Sequence, residues 1–462
     1  MNNFPLDEKT WYRKRDDRTD RVENIDGYQN FRVGVIIDSK IKESFSLQCM
    51  TLLTCNMLTR WCRRVTIDMP ECNSLLHEND QFDFRNYVKQ LISKIDPYGK
   101  FEFEKINDVD GVLVSGENEK ESREEYVWIN ASGWIAGCGF GNPKTPLKEQ
   151  GQRNPIGPAF AACMGVAEIF NMAVNKSSPE PYQKWYSLYD FGNGEDCNNL
   201  KNPEFCNNFD FGTIYQIGCG AVGSSLDYLI SLTNWKGRFY LIDWDEIVYT
   251  NCNRSLPFTA YHAIDNKKKI EVCSDVLKTG QREVVAVEKS YNKFTDRKQP
   301  KKLPDLILCL ANAENVWYTI QHNFPPLTLH ATTTANWGIN FGRHIPKKEW
   351  CILCRFGENL KDNFRPRCEE GVIWTQKDEE ILGVLPFLSP AAAVLIMTEM
   401  AKMPEKNFPM NDNFINMSLK PQFGHIQLQH SAKKGCDCNE QSLELFRVLR
   451  KNSKFWKFTD DD

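Results

Sequence analysis

The stretch that decides the fold is TIYQIGCGAVG at positions 213–223. Its first five residues form a short apolar, β-branched run of the kind that makes a buried parallel strand. The run leads directly into three glycines, Gly218, Gly220 and Gly223. Apolar residues at helical spacing follow, and RFYLI at 238–242 predicts the next parallel strand. Glycines permit a tight turn and close approach of the backbone, so that the N-terminus of the helix can present N–H groups to a phosphate. The stretch therefore predicts a nucleotide site.

The second predicted strand ends on an acid, Asp243, which lies 20 positions after Gly223. A carboxylate at that distance from the glycines can hold a ribose hydroxyl. This pattern does not distinguish NAD from ATP, so the residues that follow Asp243 have to decide.

The composition is that of a globular protein with two or three domains. Of the 462 residues, 41% are hydrophobic and 12% aromatic, which supports well-filled cores. The net charge of −4 gives no basic surface for nucleic acid, and no apolar run approaches the length of a membrane span. The first residues are charged and lack the apolar core of a signal peptide, so we expect a cytoplasmic protein. Seventeen cysteines in such a chain indicate thiols, metal ligands or a nucleophile rather than disulfides.

The first half of the chain repeats the pattern without its glycines. FRVGVIID at 31–38 predicts a strand, an apolar-periodic helix follows, and the segment 65–69 predicts a second strand. The first turn, residues 38–42, reads DSKIK, so a phosphate could not approach the backbone closely. This half therefore indicates a nucleotide fold that has lost its nucleotide.

The stretch between the two halves suggests a domain boundary. A glycine- and proline-rich loop precedes a long helix over about 158–174, and residues 175–209 have the composition of a linker. We predict domains over 1–200 and 201–440, followed by a C-terminal tail, 441–462, with a closing helix.

Three segments after the second strand carry a family resemblance. They are Asp243-Trp244-Asp245-Glu246-Ile247, Thr250-Asn251-Cys252-Asn253-Arg254 and Lys269-Ile270-Glu271. They resemble the D-x-D-x-[IV], S-N-L-N-R and K-x-E segments of the ubiquitin-activating enzyme superfamily, with its ThiF, MoeB and HesA types. The resemblance covers roughly 210–440 and implies an α/β fold class with two Rossmann-like adenylation folds in tandem. The first would be degenerate, and the second active with a zinc-bound C-terminal segment.

The resemblance gives each residue a role in adenylation. Attack by a C-terminal carboxylate on the α-phosphate of ATP accumulates negative charge, and cations and amide donors must stabilise that charge. Arg254, Lys269 and Asn251 can supply them, and Asp243 would hold the ribose. The implied catalytic residues are Cys368, Arg254 and Lys269, and the implied nucleotide-binding residues are Gly218, Gly220, Gly223, Asp243, Asp245, Asn251, Arg254, Lys269 and Asn312.

The chain departs from the family where magnesium is held. Relatives carry an aspartate just after the strand that corresponds to residues 306–310, whereas this chain has Ala311 and Asn312 there. An asparagine carbonyl coordinates Mg²⁺ weakly, and Asp245 or Glu314 would have to compensate.

Four cysteines are similar to the family's four-thiolate zinc site. Cys351 and Cys354 form a C-x-x-C pair, and Cys436 and Cys438 form a C-x-C pair. Because the second pair is one residue shorter than in relatives, His425 or His430 could replace one ligand. Ordinary unliganded thiols are the alternative.

A further cysteine, Cys368, lies in a segment similar to the family's cysteine-containing loop, where a cysteine can take the activated tail as a thioester. Arg365 and Arg367 next to it would lower its pKa and enrich the thiolate. A structural or spare cysteine is the alternative.

The N-terminal segment also has a counterpart in the family. In paired relatives an arginine from the partner's N-terminal segment reaches the phosphates, which makes Arg13, Arg15 and Arg18 candidates. A solvated charged helix is the simpler interpretation of these residues.

The sequence therefore predicts an ATP-dependent activating enzyme that adenylates the C-terminal glycine of a ubiquitin-like protein. It would then carry that protein as a thioester on Cys368 and pass it to a conjugating enzyme, with ATP, Mg²⁺ and Zn²⁺ as cofactors. The tandem halves resemble the activating enzymes of bacterial ubiquitin-like conjugation operons, several of them linked to phage defence, and imply a homodimer or a pseudo-dimeric monomer.

Three other functions remain open. A sulfur-carrier adenylyltransferase and a non-catalytic scaffold that binds a ubiquitin-like protein both fit the motifs. An NAD-dependent oxidoreductase is disfavoured, because it would leave Asn251, Arg254 and Lys269 without a role.

Overall fold

The fold was determined as a computed structural model. The residues that the structure describes are 4–22, 27–76, 82–117, 125–143, 147, 150–278, 281–295, 304–311, 314–322, 327–334, 337–356, 372–373, 381–436, 438, 453–455 and 458.

The first half of the chain forms an eight-stranded mixed sheet in the order β3-β2-β1-β4-β5-β6-β7-β8. The first five strands in this order are parallel, and the last three pair antiparallel. Their bounds are β1 Arg32–Ile37, β2 Arg64–Asp68, β3 Lys100–Glu102, β4 Gly111–Ser115, β5 Val127–Ser132, β6 Ile135–Phe140, β7 Tyr182–Ser187 and β8 Asn193–Gly194.

The second half repeats this sheet, strand for strand. Its bounds are β9 Asp210–Ile217, β10 Lys236–Asp243, β11 Arg282–Glu288, β12 Leu306–Cys309, β13 Thr328–Thr333, β14 Gly338–His344, β15 Val372–Ile373, β16 Ile381–Leu382, β17 Phe414–Ser418 and β18 Gly424–Leu428. The order β11-β10-β9-β12-β13-β14-β17-β18 has the same parallel and antiparallel pairs as the first sheet, and β15 and β16 form a separate ribbon. The predicted α/β class with two sheets is confirmed. The division at residue 200 stays a prediction.

Eleven α-helices lie within the described ranges. They are α1 Glu8–Arg15, α2 Phe45–Leu58, α3 Phe84–Ile95, α4 Ile156–Asn175, α5 Ala221–Ser231, α6 Ala260–Ile264, α7 Lys269–Leu277, α8 Tyr291–Thr295, α9 Glu314–His322, α10 Ile352–Phe356 and α11 Leu388–Lys402. Short 3₁₀ helices occur at Asp16–Arg18, Tyr28–Asn30, Ser39–Lys42 and Tyr249–Asn253.

A layer of apolar helices joins the two halves. Every residue of α2 and α11 is buried, and α4 packs against both of them. Gly165 lets α4 approach its sheet, because a Cβ there would lie 2.4 Å from Ile129. The expectation that no apolar run reaches membrane-span length was wrong for α4, but 94% of its most apolar stretch is buried inside the protein. We therefore describe α4 as a core helix.

Two segments that we predicted to be irregular belong to the first sheet. The glycine-rich loop contains β6, and the predicted linker contains β7 and β8. The glycines of β6 are required by packing, because a Cβ on Gly137 would lie 2.3 Å from the Trp185 ring and one on Gly139 would lie 2.4 Å from the Tyr182 carbonyl. Glycine here marks close packing of large rings rather than a loop.

Candidate nucleotide-binding site

The glycine turn lies between β9 and α5, as predicted, and each glycine has a different steric role. Gly218 has φ +101°, and a Cβ on it would lie 2.7 Å from the Ala311 nitrogen. A Cβ on Gly223 would lie 2.2 Å from the Gly218 carbonyl. Gly220, by contrast, has no described atom within 4 Å of a Cβ position. The turn is therefore tightly packed on its inner side and open at Gly220.

Helix α5 begins at this opening. Its N-cap residue is Gly220, and no side chain among the described residues caps it. The first N–H groups of a helix have no partner within the helix and carry a partial positive charge. This end of α5 can therefore bind an anion such as a phosphate.

The carboxylate of Asp243 joins the turn to the end of β10. Its Oδ2 accepts a hydrogen bond from the Cys219 nitrogen at 2.7 Å, and its Oδ1 accepts one from the Asp245 nitrogen at 2.9 Å. Two of its acceptor positions are therefore used to shape the turn. A carboxylate has further lone pairs, so binding of the ribose by Asp243 remains a prediction.

Lys269 and Asp245 meet beside this carboxylate. Helix α7 begins at Lys269, whose Nζ lies 2.7 Å from Asp245 Oδ2 and whose nitrogen donates to the Asp245 carbonyl at 3.0 Å. Only 12% of the Lys269 side chain is exposed, against 51% for Asp245. A continuous series of contacts thus runs from Lys269 through Asp245 and Asp243 to the glycine turn.

Asn251 and Arg254 hold their own segment in shape. The Asn251 Oδ1 accepts from the Val248 nitrogen at 2.9 Å, which closes the 3₁₀ helix. The half-buried Arg254 donates from Nη1 to the Thr250 carbonyl at 2.6 Å and to Asn253 Oδ1 at 2.9 Å. Their predicted contacts to ATP stay predictions.

Arg60, in the first half of the chain, holds the segment 249–258 in place through hydrogen bonds. The sequence analysis missed this residue. Arg60 is fully buried and donates to three carbonyls of the second half, those of Cys252 at 2.6 Å, Phe258 at 3.0 Å and Leu256 at 2.6 Å. Burial lowers the pKa of Arg60 to about 10. No local pattern marks this residue, because its partners lie about 190 to 200 positions further along the chain.

The N-terminal segment lies against the same 3₁₀ helix. The Asn253 side chain donates to Thr19 Oγ1 at 3.0 Å, and Lys14 Nζ lies 5.0 Å from the centre of the Tyr249 ring. The sequence analysis did not single out Lys14 or Thr19.

Three arginines were predicted as candidates to reach the phosphates, and for Arg15 this prediction was wrong. It is fully buried and forms ion pairs with Asp16 and Asp96, both at 2.6 Å. Arg13 is exposed on α1, and the backbone carbonyl of Arg18 accepts from the Val384 nitrogen at 3.0 Å. Their roles stay predictions.

In the first half, the turn after β1 corresponds to the glycine turn and is filled by the side chain of Asp38. Asp38 follows β1 and accepts hydrogen bonds from the nitrogens of Lys40 and Glu117, both at 2.9 Å. The Lys40 and Glu117 side chains also form an ion pair at 2.9 Å. A carboxylate and an ion pair thus lie at the place where the second half has its glycines.

The predicted magnesium ligand cannot be located. Asn312 lies outside the described residues, as do the side-chain contacts of Glu314. Ala311 is described and its backbone packs on Gly218, so its side chain brings no carboxylate to the turn.

The four predicted zinc ligands come together. The sulfurs of Cys351, Cys354, Cys436 and Cys438 all lie within 4.8 Å of one another. Two pairs are closer, Cys351 to Cys436 at 3.6 Å and Cys354 to Cys438 at 3.5 Å. Tetrahedral zinc with bonds of about 2.3 Å would separate its sulfurs by about 3.8 Å, so the four thiols fit this ion.

Neither histidine is needed as a ligand, so that alternative was wrong. The His430 ring stacks on Trp350 at 3.6 Å between centroids, and His425 packs against Tyr186. Both thiols of the C-x-C pair belong to the four-cysteine cluster.

The predicted nucleophile, Cys368, lies outside the described residues. Its role as the nucleophile stays a prediction.

One family model matches part of the chain. Residues 32–184 match the family described as the BilD N-terminal domain. The match covers less than half of the chain and ends within β7, before the glycine turn. No curated protein matches the sequence.

Solved structures of MccB are similar in outline. The crystal structure of E. coli MccB with MccA-N7isoASN has a TM-score of 0.36 and 18% identity, over 49% of this chain and 66% of that one. E. coli MccB with ATP has a TM-score of 0.37 and 17% identity, over 68% and 98%. The microcin C7 biosynthetic enzyme MccB with N-formylated MccA has 0.36 and 17%, over 49% and 67%. Likeness at this level does not assign a substrate.

Proposed function

We propose that this protein is an ATP-dependent adenylating enzyme that activates the C-terminal carboxylate of a ubiquitin-like protein. The observation that carries the proposal is the series of contacts from Lys269 through Asp245 and Asp243 to the glycine turn. The motifs resemble the ubiquitin-activating superfamily, and the family match of residues 32–184 supports that class.

The site is suited to a triphosphate. The uncapped end of α5 supplies amide donors, and Lys269 supplies a cation whose position is fixed by its ion pair with Asp245. A dinucleotide needs the turn and the ribose acid, but it has no use for a lysine at the start of α7. These features favour ATP over NAD.

The reaction would take place in two displacements. The carboxylate of the tail attacks the α-phosphorus of ATP, and pyrophosphate leaves. The thiolate of Cys368 then attacks the acyl-adenylate carbonyl, forms the thioester and releases AMP, after which a conjugating enzyme takes over the acyl group. Cytoplasmic conjugation in bacterial antiphage defence remains part of this proposal.

Two metals accompany the proposal. A zinc ion held by Cys351, Cys354, Cys436 and Cys438 would cross-link α10 to the segment after β18. Asp245 and Asn312 would coordinate magnesium. Asp245 would then have to share its carboxylate between Lys269 and the ion.

The arrangement of the halves favours a pseudo-dimeric monomer over a homodimer. Arg60 and Thr19 of the proposed domain 1–200 contact the nucleotide segment of the proposed domain 201–440. The degenerate half would thus supply the contacts that a second subunit supplies in a symmetric dimer.

Titration calorimetry with Mg-ATP tests the nucleotide site. We expect the wild type to bind ATP and Lys269→Met to bind at least about tenfold more weakly, since a charge-assisted contact contributes about 1.5–3 kcal/mol. Lys278→Met, at the exposed C-terminal end of α7, is the matched control and should bind like the wild type. Equal affinity of all three proteins would contradict the proposal.

Pyrophosphate exchange tests the chemistry. We expect exchange of labelled pyrophosphate into ATP only when a ubiquitin-like protein with a C-terminal glycine is added. A reducible adduct that is lost in Cys368→Ala would separate a thioester relay from a sulfur-carrier adenylyltransferase.

A binding scaffold without catalysis is the second candidate. Ala311 packs on the turn where relatives hold magnesium with a carboxylate, and Asp245 is already paired. ATP binding without pyrophosphate exchange, in the presence of a bound partner, would favour the scaffold.

A further inference from the structure

A second buried cluster lies directly behind the glycine turn. Cys219 belongs to the turn, Asp227 to α5 and Cys273 to α7. Their two sulfurs and a carboxylate oxygen lie within 4.8 Å of one another, and all three side chains are fully buried. Nucleotide binding gives no reason for two thiols and an acid at this place.

Gln216, the fourth member of the cluster, lies on β9. Its Nε2 is 3.0 Å from Asp227 Oδ2 and 3.9 Å from Cys219 Sγ, and the side chain is fully buried. Within the described part of the chain, Gln216 Oε1 and Asp227 Oδ1 have no hydrogen-bond partner. A buried carboxylate oxygen without a partner is costly and rare, so the presence of Asp227 Oδ1 beside two thiols points to a missing ligand.

The two ends of a glutamine amide are assigned from their hydrogen bonds. When a metal replaces the hydrogen bond from Gln216 Nε2 to Asp227, exchanging the two ends turns the carbonyl oxygen towards Asp227 and Cys219. The cluster then offers two sulfurs and two oxygens around one point.

We propose that this cluster is a second zinc-class metal site, with Cys219, Cys273 and Asp227 as ligands and the Gln216 carbonyl as the fourth. Two thiolates with oxygen donors suit Zn²⁺ better than Mg²⁺ or Ca²⁺, which prefer oxygen alone. Binding displaces the two thiol protons to solvent. Three anionic ligands leave one negative charge on the complex, which the positive end of α5 at Ala221 offsets.

The site would cross-link the two elements that form the nucleotide pocket. Cys219 stands between Gly218 and Gly220, and Cys273 follows Lys269 by one helical turn on α7. A metal there fixes the glycine turn relative to the helix that carries Lys269. The proposal depends only on the cluster, and holds whether or not the protein adenylates a partner.

Metal counting on the full chain tests it. After purification with zinc and removal of loosely bound ions, we expect the wild type to hold two equivalents by mass spectrometry. The double variant Cys351→Ser with Cys436→Ser leaves the new cluster untouched and should keep one equivalent. If that variant holds none, the proposal is overturned.

Variants of the cluster itself provide the reciprocal experiment. Cys273→Ala and Asp227→Asn should each lose one equivalent, whereas Cys163→Ala, a buried thiol outside the cluster, should lose none. Circular dichroism checks that each variant is folded. A folded Cys273→Ala that still holds two equivalents would show a hydrogen-bonded thiol cluster without metal and would also overturn the proposal.

Cobalt substitution gives a spectroscopic signature that does not depend on counting. Thiolate-to-cobalt absorption in the near ultraviolet should persist in the Cys351→Ser, Cys436→Ser protein, at reduced intensity because fewer thiolates remain. Its complete loss would contradict the proposal. None of these measurements uses ATP or a partner protein, so failure of the proposed function would leave their outcome unchanged.

Discussion

At the scale of single residues, the glycine turn contains a position that leaves no room for an added Cβ atom. Gly218 and Gly220 are the same residue type and lie two positions apart, yet their surroundings differ. Gly218 is in the left-handed region with the Ala311 backbone against it, whereas Gly220 is open. Sequence analysis predicted both as nucleotide-binding residues but could not rank them, because the neighbour of Gly218 follows β12, almost a hundred positions later.

The difference predicts unequal effects of the same substitution. We expect Gly218→Ala to lower the free energy of unfolding by about 2–4 kcal/mol, because of its positive φ and its clash with backbone atoms. Gly220→Ala is the control and should cost less than about 1 kcal/mol. Urea denaturation measures both, and equal stability of the two variants would contradict the structure.

At the scale of elements, the sequence predicted those parts whose hydrophobic pattern is local. It located β1, β2, β9 and β10. It missed β6, because the glycines that pack against rings there resemble loop composition, and it missed β7, because β7 lies within a segment of linker composition. Helices α6 and α7 are separated by a turn with Asn266 at φ +47°.

The segment 249–258 is an element whose shape depends on a distant residue. Arg60→Met would leave three buried carbonyls without their donor, and we expect a loss of about 3 kcal/mol in the free energy of unfolding. Amide hydrogen exchange within 249–258 should accelerate.

Arg21→Met is the control for this prediction. Arg21 forms a partly exposed ion pair with Asp17 at 2.9 Å, so its loss should cost at most about 1 kcal/mol. If Arg60→Met left exchange in 249–258 unchanged, the segment would be held by its own contacts alone.

At the scale of the whole molecule, the two halves share a buried polar contact. Lys402, at the end of α11, is fully buried, and its Nζ lies 4.6 Å from the Phe191 ring of the first half and 4.0 Å from Glu399. Burial lowers the pKa of Lys402 to about 8. Sequence analysis could predict two similar sheets, but it could not predict this contact, because the pattern of α11 shows only that the helix is buried.

The lowered pKa predicts a pH dependence of stability. Between about pH 8 and 10.5 the unfolded state binds the proton that the folded state has released, so the free energy of unfolding should rise with pH by up to about 3 kcal/mol. Below about pH 8 the cost of burying the charge is fully present.

The measurement compares chemical denaturation of the wild type and Lys402→Met from pH 7 to 10. The rise should be present in the wild type and absent from Lys402→Met, while Lys406→Met, an exposed lysine four residues further, should behave like the wild type. Parallel curves for the wild type and Lys402→Met would contradict the assignment.

The order in which Arg60 and its partners occur along the chain has a consequence for synthesis on the ribosome. The guanidinium emerges early, and the three carbonyls that receive it emerge about two hundred residues later. Until the later half arrives, Arg60 keeps its bond to Asn56 at 2.8 Å and the rest of its guanidinium is hydrated, so this face of the first half stays open to water. A fragment that began at the second sheet would lack that cation altogether and would present its pocket segment loose from the outset.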